Sequence, residues 1–301
     1  MLTTMKIHSF VVLFTFILIS CNQKSQYFIP PIFLGVQNIS HNTLTLHFDQ
    51  DVILQDITII PELTIENIQH HTIFFQQTEP SQPYTLQARA KSSHTSLLFS
   101  LVFWAVPKNP PPPLVINELS IIHNKVIVDA IELRALEAGS IVGTTVYLGT
   151  PENFHARYIF PNVMVQAGDL IILHADRQTG FFFPDSPRLS NTREVISIAA
   201  NPYTIPYYAV AYEKIPSSPG NTISKQKRIF NENLTYIQRH NLWSGDPINS
   251  QYVTATRSLN RRFLPINNPE TYHAWYTTNT KGSSIGYPNT SDIYQPKADP
   301  K

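Results

Sequence analysis

Apolar and polar positions alternate through the first third of the chain. In "NTLTLHF", Leu44, Leu46 and Phe48 share one face and Thr43, Thr45 and His47 the other, the signature of a half-buried strand. "DITIIPELTIENI" and "HTIFFQQ" repeat the habit, while "TSLLFSLVFWAV" is apolar on both faces and predicts a strand at the centre of a sheet. "SHN", "DQD", "TEPSQP" and "KSSH" supply turns between them. Short strands at this spacing predict a β-sandwich over residues 28–106. "VPKNPPPPL" follows, and its prolines predict a stiff extended linker at 107–113.

From residue 114 the same strand vocabulary returns: "LVINELSI", "AIEL", "VYLG", "EVISIAA" and "YYAVAYEK". "VMVQAGDLIILHA" predicts two strands turning at Ala167-Gly168-Asp169. The period changes in "KQKRIFNENLTYIQRHNLW", the best helix of the chain, with Ile229, Leu234 and Ile237 facing a core. It falls in a stretch, 214–250, that reads as an insertion into the second sandwich. That sandwich spans 114–292, with a tail at 293–301.

Composition agrees with an all-β chain. Among 301 residues there are 24 prolines against 10 glycines, and proline is costly in helix interiors. Lys6 is the only charge before Cys21; without it, 21 basic residues balance 21 acidic ones, which gives no general drive toward nucleic acid.

The N-terminus carries the most specific motif. Lys6 precedes an apolar run, Phe10 to Ile19, too short to span a bilayer comfortably and suited to a signal peptide. It ends in Leu18-Ile19-Ser20-Cys21, which resembles the lipobox of bacterial lipoproteins. That resemblance implies cleavage between Ser20 and Cys21, leaving 1–20 as signal peptide. It also implies a diacylglyceryl thioether and fatty acylation on Cys21, the sole cysteine. Residues 21–27 become a polar tether, and the chain is expected to be exported and held at a bacterial cell-envelope membrane.

Two further resemblances bear on the folded segments. "LTLHFDQDV" and "PYTLQARAKSSHTSLLFSLVFWA" are similar to strands of bacterial immunoglobulin-like modules, which act as spacers or stalks. The second segment resembles the lamin-tail domain, an immunoglobulin-like sandwich. The matching residues are Ile116, Asn117, Glu118 and Leu119; Ile131, Glu132 and Leu133; Phe160, Pro161, Gly168 and Asp169; Ser258, Leu259 and Arg261; and a closing Trp275. The chain departs from that pattern at Ile285, where the family has proline, and at the 214–250 insertion. The resulting expectation is two tandem immunoglobulin-like sandwiches behind a lipoprotein signal.

Chemistry-bearing motifs are few. Glu118 and Glu132 sit in apolar strands, as a paired acid/base or metal site or as hydrogen-bond acceptors for a neighbouring loop; the family pattern favours the second. "GSSIG", Gly282 to Gly286, matches a serine-hydrolase elbow in letters, but no helix-forming run follows it and no histidine lies beyond His273. His70, His71, Asp49, Asp51 and Asp56 lack a metal-ligand spacing and read as solvated loop residues. Lys225, Lys227, Arg228 and Arg239, interleaved with Tyr236 and Trp243, form a candidate basic and aromatic binding surface.

The sequence therefore points to a non-catalytic interaction, scaffolding or adhesion module with a protein or glycan partner and no cofactor or metal. The alternatives are a glycan or nucleic-acid binder using 214–262, and an envelope hydrolase with a loop-built site. Cells fed radiolabelled palmitate are expected to label this chain. Cys21→Ser is expected to abolish the label, and a label surviving that substitution would remove the lipobox reading.

Overall fold

The computed structural model describes residues 29–122, 129–175, 179–184, 188–215, 224–263, 265 and 269–296. The expected signal peptide at 1–20, with Ser20 and Cys21, and the expected tether at 21–27 lie outside the described residues. The elements are almost all strands, with one α-helix of more than one turn among the described residues.

Residues 33–104 form seven strands: β1 (Phe33–Ile39), β2 (Thr43–Phe48), β3 (Ile53–Ile60), β4 (Ile65–Gln69), β5 (Thr72–Phe75), β6 (Pro83–Lys91) and β7 (Ser96–Trp104). They make a four-stranded sheet in the order β1-β2-β5-β4 and a three-stranded sheet in the order β3-β6-β7. The alternation seen in sequence becomes a core: Leu44, Leu46, Phe48, Ile73, Phe75, Leu86 and Phe103 are buried between them. One expectation is corrected. The doubly apolar strand β7 lies at an edge of its sheet, paired only with β6, and not in the centre.

A second core begins at β8 (Leu114–Ser120) and continues through β9 (Ala130–Ala135), β10 (Gly139–Ser140), β11 (Thr145–Thr150), β12 (Asn153–Ile159), β13 (Met164–Val165), β14 (Leu170–His174), β15 (Phe181–Phe182), β16 (Arg193–Ala199) and β17 (Tyr208–Glu213). Helix α1 (Lys225–Arg239) follows, then β18 (Trp243–Ser244), β19 (Ile248–Asn249), β20 (Leu259–Arg261), β21 (Glu270–Thr271) and β22 (Trp275–Thr277). A five-stranded sheet, β12-β11-β16-β17-β19, and a six-stranded sheet, β15-β14-β9-β8-β20-β22, contribute to one continuous core. Leu133, Leu119 and Leu173 come from the larger sheet, and Val146, Ile196 and Val210 from the smaller.

The turn at Ala167-Gly168-Asp169 forms, with Gly168 at φ +94° and the Gln166 amide donating to Asp169 Oδ2 at 2.8 Å. Its two flanking strands do not make a hairpin, however. β13 pairs with β10, and β14 with β9. Ala135 divides them: the Gly168 N–H donates to its carbonyl at 2.8 Å, and its own N–H donates to the Asp169 carbonyl at 2.9 Å.

Helix α1 starts where Ser224 Oγ accepts from the Lys227 N–H at 3.2 Å, an N-cap. It packs on β11 and β16 through Phe230, Tyr236 and Ile237, and Thr150 Oγ1 donates to Asn233 Oδ1 at 2.8 Å. The segment between the cores lies against the second one. The Trp104 N–H donates to Tyr203 Oη at 2.9 Å, the Leu114 N–H to Tyr207 Oη at 3.0 Å, and the Leu136 N–H to the Pro113 carbonyl at 3.0 Å.

Gly149 shows how tightly β11 is built. Its φ is +121°, and a Cβ there would lie 2.3 Å from the Asn153 carbonyl oxygen. Gly149→Ala is expected to lower unfolding stability by more than about 1 kcal/mol in urea titration; an unchanged midpoint would contradict this packing.

Candidate functional site: a carboxylate pair, its strap and two clefts

Ile131 and Leu133 enter the second core, so Glu132 between them faces the opposite side of β9. In register, Ile172, Glu132, Glu118, Asn260 and Tyr276 form one cross-strand row over β14, β9, β8, β20 and β22. A bulge in β8 between Ile116 and Glu118 adds Asn117 beside the row. Both carboxylates are fully buried.

What buries them is the irregular segment 282–291, a strap lying over the row. Glu118 Oε1 accepts from Ser283 Oγ at 3.0 Å and from the Ser284 N–H at 2.8 Å; Oε2 accepts from Ser284 Oγ at 2.6 Å. Glu132 Oε2 accepts from the Gly286 N–H at 2.5 Å, and Oε1 from Asn117 Nδ2 at 2.7 Å. Asn289 closes the array: its Oδ1 accepts from Asn117 Nδ2 at 2.8 Å, and its Nδ2 donates to the carbonyls of Arg261 at 2.8 Å and Asn117 at 3.1 Å. Tyr276 Oη donates to the Thr290 carbonyl. Burial pushes the Glu132 carboxyl above its ordinary pKa and the nearby Glu118 adds to that, while the bonds from Asn117 and Gly286 pull it down.

These bonds also settle where "GSSIG" sits. Ser284 Oγ donates to Glu118 and accepts from Asn260 Nδ2 at 3.0 Å, and no helix follows within 282–296. The run is an anchor for the strap, without the strand–turn–helix of a nucleophile elbow. Arg261, adjacent in β20, is buried against Glu270, with Nη2 at 3.1 Å and Nε at 3.3 Å from Oε2. Burial raises the Glu270 pKa, and the guanidinium opposes that rise.

Beside the strap opens a cleft of about 540 Å³ lined by Arg134, Arg262, Phe263, Tyr276, Asn289 and Ile293, among others. The Arg134 guanidinium lies 4.8 Å from the Phe263 ring centroid, and that of Arg262 lies 5.2 Å from the Tyr276 centroid. Among the described residues, neither arginine has a carboxylate within ion-pair distance. Burial, and then Arg261, depress the Arg134 pKa. The cleft is thus cationic with aromatic walls, suited to an acidic group on a partner.

A second cleft, of about 630 Å³, holds His155 and Glu194, whose Nε2 and Oε2 are 3.8 Å apart. Burial raises the Glu194 pKa to about 8, against the backbone N–H bonds at Ser190 and Val195 that lower it; burial also lowers that of His155. A carboxyl protonated near neutrality beside a neutral imidazole can hold a proton. Sequence reasoning missed this pair. "TREVISIAA" marks Glu194 only as the start of a strand, and nothing in the sequence links it to His155 on another hairpin.

The basic and aromatic residues singled out on α1 do not converge on one surface. Tyr236 and Trp243 are buried in the core. Lys227 Nζ lies 2.6 Å from both Glu213 oxygens, Arg228 Nε 3.8 Å from Glu232, and Arg239 Nη2 3.9 Å from Glu152. Lys225 is exposed. In the first core, Asp49 Oδ1 accepts from the Ile32 N–H at 2.7 Å and Asp56 pairs with Arg89 at 2.8 Å. His71 Nε2 accepts from the Val52 N–H at 3.3 Å.

Comparison with known proteins adds one finding. A family model described as a "protein second domain" matches residues 112–181, under a quarter of the chain, and carries no lamin-tail or lipoprotein description. No curated protein and no solved structure matches the chain.

Glu132→Ala leaves the Gly286 N–H without its acceptor and the Asn117 amide with only Asn289, and is expected to cost about 1–3 kcal/mol in urea unfolding. A loss within about 0.5 kcal/mol, the range of ordinary surface changes, would contradict the geometry. Glu194 binds its proton more tightly folded than unfolded, so its contribution to stability falls as pH rises from the ordinary carboxylate value toward about 8. Glu194→Gln is expected to gain on the parent across that window and to level off above it, read from unfolding midpoints at a series of pH values.

Proposed function

We propose that this chain is an exported lipoprotein of a bacterial cell envelope that acts as a non-catalytic interaction module. Cys21 carries the lipid, and two sandwiches stand beyond it. The observation that carries the non-catalytic part is the state of Glu118 and Glu132. Together they accept five hydrogen bonds, four of them from the strap, so each of their four oxygens is engaged in holding the chain in place.

Several features support the finer reading. The order β1-β2-β5-β4 facing β3-β6-β7 is the strand arrangement of a constant-type immunoglobulin sandwich. The second core begins at Leu114, near the start of the matched family model at residue 112. Asn117, Glu118, Glu132, Ser258 and Arg261, which carry the lamin-tail resemblance, all lie in or beside the carboxylate row. The Arg134–Arg262 cleft, with its aromatic walls, is the surface we assign to an acidic group of a protein or glycan partner.

Cell fractionation tests the anchored part. The protein is expected in the membrane pellet, resistant to high salt and alkaline carbonate and released by detergent, because several acyl chains on one cysteine hold firmly where one binds marginally. Cys21→Ser is expected to remove it from that pellet. Release of the parent protein by salt alone would overturn the proposal.

A further inference from the structure

Strand β7, "SLLFSLVFW", is an unprotected edge. It pairs with β6 on one side only, and Ser96–Trp104 contains no charge, proline or glycine, the devices that usually guard an edge. Its outward face is apolar as well: Leu98 is 67% and Val102 52% exposed. On the inward face Leu97, Phe99 and Leu101 are only partly covered by the first core.

The direction of the free backbone groups follows from two observations. The Trp104 N–H donates to Tyr203 Oη, a partner outside its sheet, so it points away from β6. Trp104 also sits opposite Pro83, which has no N–H to offer. N–H and C=O directions alternate along a strand, so Leu98, Ser100 and Val102 also present theirs outward. Among the described residues, no hydrogen bond reaches these groups from another segment.

The strand is also a palindrome in its pattern. About Ser100, Phe99 mirrors Leu101, Leu98 mirrors Val102, and Leu97 mirrors Phe103. An antiparallel two-fold pairing centred on Ser100 therefore sets apolar residues opposite each other on both faces. The outward groups of Leu98 on one copy then meet those of Val102 on the other, with Ser100 facing itself. Aliphatic and aromatic cross-strand pairs of this kind are the favourable ones. The ladder ends at Trp104, whose N–H is taken by Tyr203.

We propose that β7 docks against β7 of a second copy of this chain, joining the two three-stranded sheets into one six-stranded sheet across a two-fold axis. The partner is the chain itself, because the exposed edge is complementary to its own sequence read backwards. A hydrogen-bonded antiparallel pair brings opposed Cα atoms to about 5.5 Å, within the span of about 4.4–6.8 Å that a disulfide bridges.

The test is the full chain carrying Cys21→Ser and Ser100→Cys, oxidised mildly and run without reductant. A covalent dimer is expected, whereas Gln55→Cys, on the far edge strand β3, is expected to stay monomeric. Sedimentation of the Cys21→Ser chain is expected to show a concentration-dependent dimer, and Val102→Lys, which places two like charges in the new ladder, to weaken it at least tenfold. The proposal falls if the Ser100→Cys chain fails to cross-link, or if the parent stays monomeric to about 1 mM, the weak end of specific association. It falls equally if a dimer forms that Val102→Lys leaves unchanged, since that dimer would use another surface.

Discussion

The second sandwich depends on two buried carboxylates whose charge is met by neutral donors. Glu118 and Glu132 face each other across β8 and β9, where like charges repel, and burial raises the cost of ionising Glu132. Hydrogen bonds to a charged acceptor contribute about 1.5–3 kcal/mol each, and an unmet buried charge costs several times that. The donors come from Ser283, Ser284 and Gly286, far along the chain, and from Asn117 alongside. The six-stranded sheet can therefore keep its polar row only while the strap is in place. The strap, which has no helix or sheet of its own over 282–291, is held largely by that row, with Asn289 also donating to the Arg261 carbonyl.

The rest of the second core follows from having both sheets covered. β8 is buried at every position, and so is β11, on which α1 packs. The strap covers the acids, and its later residues, Pro288 to Ser291, form one wall of the cationic cleft that Arg134 and Arg262 also line. Arg261, one residue away, is instead buried with Glu270, so adjacent arginines in β20 and the turn after it serve structure and surface respectively.

Much of this was legible in the sequence. The alternation of Leu44, Leu46 and Phe48 and the helical period from Lys225 translate directly into β2 and α1, because one-sided burial prints its own period. The lamin-tail resemblance pointed to Glu118 and Glu132 as acceptors for a loop, and both accept hydrogen bonds from the segment 282–291. Its distance in sequence is why composition could not identify it. β7 misled because apolar residues on both faces mark a central strand or an unguarded edge alike, and only pairing separates the two. On α1, basic and aromatic letters interleave in sequence, but their exposure is set by the helix, which turns Tyr236 inward and sets Lys227 and Arg239 beside acids. The His155–Glu194 cleft left no trace, since strand β11 lies between the strands that carry them.

The account stands or falls on whether the strap is part of the fold. Amide hydrogen exchange at Ser284 and Gly286 measures this most directly, because both N–H groups are committed to the buried carboxylates and to nothing else. The account predicts that they exchange as slowly as amides of the central strand β9, through global unfolding. Exchange at the rate of an open loop would contradict it.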